Sequence, residues 1–71
     1  MDYRQRLRAL REDHDLSQSE VGKMIHKSQQ EYSHIENGRA ELKIEDLAEL
    51  CRYYSVSADY VIGLMKEQKP L

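Results

Sequence analysis

The sequence predicts an all-α fold, with five short helices forming one compact domain. Three observations carry this expectation. Apolar residues recur at spacings of three and four, serine–glutamate pairs three residues apart introduce two of the apolar runs, and no segment shows strand-like alternation. With 71 residues the chain has room for one small domain, which buries only about 60% of the surface its unfolded chain exposes. There is no tryptophan or phenylalanine, so the core must come from the five tyrosines and the Leu, Ile, Val and Met side chains.

Taken in order, Tyr3, Leu7 and Leu10 form a helical stripe over residues 2–13. Ser17 with Glu20 then fits a capping box, and Leu16 with Val21 fits the hydrophobic staple that accompanies one. A second helix is expected to about His26, burying Val21, Met24 and Ile25. Ser28 with Glu31 opens a third, which stops at Asn37-Gly38, where glycine adopts the left-handed conformation other residues resist. After the loop "RAELK", a fourth helix from about Ile44 is expected to bury Ile44, Leu47, Ala48, Leu50, Cys51 and Tyr54. Ser57 caps a fifth, through Tyr60 and Val61 to about Met65. The domain is therefore expected to span residues 1–65, with residues 66–71, "KEQKPL", as a flexible polar tail.

Composition narrows the function. A single cysteine, Cys51, forms no internal disulfide, and it sits on an apolar stripe where an inert buried thiol belongs. The charged start "MDYRQRLRALRED" lacks a signal peptide's apolar run, and no stretch reaches membrane-spanning length. A soluble, cytoplasmic chain is expected. His14, His26 and His34 lack zinc-motif spacing. With no nucleophile–base set, phosphate-cradling glycine loop or carboxylate pair in a plausible pocket, neither catalysis, metal nor cofactor is expected.

The net charge of −2 is a sum over unequal parts. Arg4, Arg6, Arg8 and Arg11 against Asp2 give residues 1–11 a balance of +3, whereas residues 12–20 carry −4, residues 21–43 carry +1 and residues 44–71 carry −2. Local field outweighs the total, although so weak a basic face predicts weaker nucleic-acid binding. Arg4, Arg6 and Arg8 read as a solvated face, and Tyr32, Tyr54 and Tyr60 as space-filling residues.

The third helix carries the most specific signal. At about 100° per residue, with Gln29 at 0°, Ser33 falls near 40°, Asn37 near 80°, Gln30 near 100° and His34 near 140°. Tyr32 and Ile35 fall across the helix, near 300° and 240°. One face anchors the helix, and the other holds only short or flat hydrogen-bonding groups. A glutamine pair alone is ordinarily a solvated surface; within the whole pattern it reads as a recognition surface.

The stretches "LRALRED", "LSQSEVGKMI", "SQQEYSHIENG" and "YYSVSADYVIGL", in this order and spacing, resemble the Cro/C1-type helix-turn-helix family of phage repressors and bacterial regulators (the XRE family). The resemblance runs from about Tyr3 to Met65 and implies a five-helix lambda-repressor-like DNA-binding domain, with the helix-turn-helix at the second and third helices. It implies that the third helix enters the major groove, with Gln29 and Gln30 leading base readout and Ser33 and His34 reaching bases or phosphates further along. A glutamine amide can both donate to and accept from adenine, which gives such a pair a use there. Gln18, at the start of the second helix, matches a phosphate-binding position; Asn37, Arg39 and Lys43 match the loop that follows the backbone, and Lys27 joins this expected phosphate set. Arg11 and Glu36 match a structural ion pair. His26 stands where a glycine normally ends the second helix and must tolerate the turn geometry. Glu31 could accept from cytosine or serve only as a cap.

Val61, Ile62, Leu64 and Met65 are too many apolar residues for one face of a short helix, and a dimer contact is expected among them. A symmetric homodimer on double-stranded DNA would place its reading helices about 34–36 Å apart and select a palindromic operator. The expected function is sequence-specific transcription regulation, as a repressor. The alternative is an antitoxin-type or other protein-interaction module that binds a protein partner through its last helix, favoured by the acidic balance.

Overall fold

The computed structural model describes residues 2–63. Within them the chain forms α1 (Tyr3–Asp13), α2 (Gln18–Met24), α3 (Gln29–Glu36), α4 (Ile44–Tyr54) and α5 (Ala58–Ile62), with no strand. None of these helices is long and apolar enough to cross a membrane.

Local chemistry sets the starts. Ser17 and Ser28 each accept from the backbone of a glutamate three residues on, at 3.0 and 3.1 Å, and each glutamate carboxylate returns to the serine N–H, at 2.9 and 2.8 Å. Two orphan donors per helix start are thereby satisfied. These bonds hold the Glu20 and Glu31 carboxyls below the ordinary range, chiefly through the backbone N–H of Ser17 and Ser28. The same device opens α1, where Asp2 accepts from Arg4 and Gln5 and Gln5 answers at 3.1 Å. Ser57 caps α5 through the Tyr60 N–H.

The ends differ from the sequence reading in two places. α2 stops at Met24 rather than near His26, because Ile25 is the cap and His26 turns left-handed at φ 59°. Lys27 then donates to the Gly22 carbonyl at 2.8 Å. α5 ends at Ile62, capped by Gly63 at φ 95°; Leu64, Met65 and the expected tail lie outside the described residues.

The core gathers Leu7 and Leu10 from α1, Val21 and Ile25 from the α2 region, Tyr32 and Ile35 from α3, Leu50, Cys51 and Tyr54 from α4, and Val56 and Val61 around α5. Burial pushes the Cys51 thiol up, as expected for an inert core group. It also pushes the Tyr54 phenol up to about 12. Three expectations are corrected. Ile44 is 77% exposed and Ala48 is exposed, because α4 begins beyond the edge of the core and only its later turns meet it. Arg4 and Arg6 are not a solvated face: each is half-buried, with its guanidinium carbon 4.6 Å from the ring centroid of Tyr3 and Tyr60 respectively. Such stacking uses the aromatic face that a cation prefers. Arg8 alone stays exposed, pairing with Glu12 one turn on.

Gly22 fixes how α2 meets α3. A Cβ on this residue would lie 2.8 Å from the Lys27 carbonyl oxygen and 3.1 Å from that of Ser28. The absence of a side chain is what lets the turn between the two helices close against α2.

Candidate nucleic-acid interface

The buried face of α3 anchors through Tyr32 and Ile35, which are 0% and 1% exposed. The Ser28–Glu31 box fixes where its first turn begins. Gln29 and Gln30 consequently stand in that turn, exposed, while Ser33 and His34 are half-buried. An open concave surface of about 540 Å³ brings Gln29, Gln30, Ser33 and His34 together with Gln18, Ser28, Asn37 and Arg39. Its described lining residues carry amide, hydroxyl, imidazole and guanidinium groups, with no carboxylate among them.

The remaining candidates are placed differently. Asn37 caps α3 and turns its amide back onto the Ser33 hydroxyl at 3.3 Å. Gly38 follows at φ 81°, and the His34 carbonyl accepts from both Arg39 and Ala40, at 2.8 and 3.1 Å. These bonds hold the loop that carries Arg39 against the end of α3. Lys43 is exposed at the start of α4 but does not line the concave surface. Lys27 is also outside it, with its ammonium 3.9 Å from Asp46 and half-buried. Glu31 has one oxygen committed to the Ser28 N–H, which gives it the capping role.

Beneath the surface lies a charged hub. Arg11 Nε donates to Glu36 Oε2 at 2.8 Å and Arg11 Nη2 to Oε1 at 3.2 Å, a fork geometry suited to a carboxylate. Arg11 Nη1 reaches the Leu16 carbonyl at 3.0 Å, so one side chain ties together α1, the α1–α2 loop and the end of α3. Gln18 Nε2 also donates to Glu36 Oε1, at 3.2 Å. Burial pushes the Glu36 carboxyl up, but hydrogen bonds from Arg11 and Gln18 and the Arg11 charge outweigh it and hold the group below its ordinary range. The Glu36 bond raises Arg11 in return. The Tyr32 hydroxyl lies close to this carboxylate but outside hydrogen-bonding geometry.

Sequence reasoning did not find the Gln18–Glu36 bond or the close approach at Gly22. The first joins residues 18 apart with no shared periodicity; the second depends on where a neighbouring turn folds back.

The model of the helix-turn-helix family matches residues 7–61. The chain is also similar to YobD of Bacillus subtilis (strain 168), an uncharacterized HTH-type transcriptional regulator, at 34% identity over 68 residues. That alignment covers 96% of this chain and 61% of the relative, so the chain spans under two thirds of the length of the protein it matches.

Proposed function

Because this chain belongs to the helix-turn-helix family, we propose that it is a DNA-binding transcription regulator, acting as a sequence-specific repressor, whose α3 reads the major groove. One observation carries the reading: the exposed amides of Gln29 and Gln30 share a concave surface with Gln18, Ser33, His34, Asn37 and Arg39, and no carboxylate stands among its described lining residues. Gln29 and Gln30 lead the base contacts, with Ser33 and His34 behind them. Arg39 supplies phosphate charge on the loop side, with Asn37 and Gln18 beside it as neutral contacts. Lys43 is a more distant phosphate contact. Lys27 joins them only by leaving Asp46.

The active species is a homodimer on a palindromic site. Ile44 is 77% and Ile62 49% exposed, and both line a groove of about 380 Å³ with Tyr3, Leu42 and Leu47. Of the residues first expected at the dimer contact, Val61 is fully buried in its own domain and Ile62 remains available. Residues 1–65 constitute the binding domain. Selection of bound duplexes from a random DNA pool tests both parts of this reading. The expected product is an inverted repeat with half-sites about one helical turn apart; recovery of no preferred sequence would overturn it.

A further inference from the structure

The Gln18–Glu36 bond gives the charged hub a second task. Glu36, as a carboxylate, only accepts hydrogen bonds. Gln18 must therefore present its nitrogen, not its oxygen, to Glu36 Oε1, and the 3.2 Å contact fixes the orientation of an amide that would otherwise flip freely. The second N–H of that nitrogen and the amide oxygen are left for other partners. Gln18 lines the same concave surface as Gln29 and Asn37. A DNA phosphate likewise only accepts, so the remaining N–H is the part of this side chain that serves it.

We propose that Glu36 is a positioning residue for DNA binding: held by Arg11, it orients the Gln18 amide so that one N–H faces the phosphate backbone. This deepens the reading of the concave surface as the DNA-facing side and rests on it. The logic is preorganisation: an amide already locked in its bound orientation loses less freedom on association. The relay crosses three elements, from Arg11 on α1 through Glu36 on α3 to Gln18 on α2. The groups bonded to the carboxylate are thus both donors, one charged and structural, the other neutral and facing the proposed ligand.

The test uses the full chain in two arms. The first needs no DNA. In the unmodified protein the two side-chain amide protons of Gln18 should be well separated in the NMR spectrum and slow to exchange, and the pair should collapse to ordinary values in a variant carrying Arg11→Met and Glu36→Leu. Replacing both partners avoids stranding a buried charge and leaves the net charge unchanged. Averaged, fast-exchanging Gln18 protons in the unmodified protein would overturn the proposal without any variant having to fold. The second arm measures the dissociation constant for a duplex recovered by the selection, at fixed salt. Gln18→Ala and the paired variant should each weaken binding about five-fold, the effect of one hydrogen bond. Gln18→Ala added to the paired variant should cost nothing more. An equal penalty for Gln18→Ala in both backgrounds would show that Glu36 does not act through Gln18. If no duplex is recovered, the DNA-binding reading fails, and the first arm still decides whether Glu36 fixes the amide.

Discussion

Arg11 and Glu36 stand 25 residues apart in sequence and are joined by two parallel hydrogen bonds of 2.8 and 3.2 Å, with only 13% and 2% of their side-chain surfaces exposed. Such a pair is a poor source of net stability but a dangerous one to break, because either partner alone is a charge stranded away from water. Arg11→Ala or Glu36→Ala should each destabilise the domain by about 3–5 kcal/mol in urea unfolding.

The same pair sets an acid dependence. The folded protein holds Glu36 below its unfolded value, so its contribution is complete above about pH 4.3 and is lost as pH falls through the folded value. Urea midpoints at neutral pH and in acid should therefore differ less for Glu36→Gln than for the unmodified protein.

Alkaline pH probes the core from another side. Burial raises Tyr54 to about 12, so the fold favours the neutral phenol. That contribution is intact below the unfolded value of about 10 and fades as pH climbs toward the folded one. Tyr54→Phe should lose stability less steeply over this range, as read by thermal melts.

Gly22→Ala pits helix propensity against packing. Alanine is favoured by about 1 kcal/mol within a helix, yet its Cβ would sit 2.8 Å from the backbone oxygen of Lys27, a residue whose backbone N–H donates to the Gly22 carbonyl. Overpacking of this kind costs about 1–3 kcal/mol. A net fall in melting temperature is expected.

Arg39 tests the electrostatic part of the proposed interface. Arg39→Ala should weaken binding to all duplexes alike and reduce the salt slope by about one. Unchanged slope would remove Arg39 from the phosphate contacts.

What was readable in the sequence was local. The Ser17–Glu20 and Ser28–Glu31 boxes and the Ser57 cap depend on residues three apart, and the Tyr32–Ile35 anchor follows from helical spacing. The five-helix class followed from these. Arg11 with Glu36 came by family resemblance, since no periodicity joins α1 to the end of α3. The exposure of Ile44 was misread because a helical stripe shows which side faces inward but not where the core ends along the axis. The positions of Arg4 and Arg6 were misread for a related reason: long side chains lie down on whatever ring the tertiary fold supplies. At the site, the outward direction of Gln29 and Gln30 was legible from the angles alone. The engagement of Lys27 by Asp46 and of Gln18 by Glu36 was not, because each needs a partner brought in from another helix.

The most direct measurement of the proposed function is the affinity of Gln29→Ala for a selected duplex and for a scrambled one, compared with the unmodified chain at the same salt. The expected result is a loss of about 1–3 kcal/mol on the selected duplex and almost none on the scrambled one. Equal losses on both duplexes, or none on either, would contradict base reading by the first turn of α3.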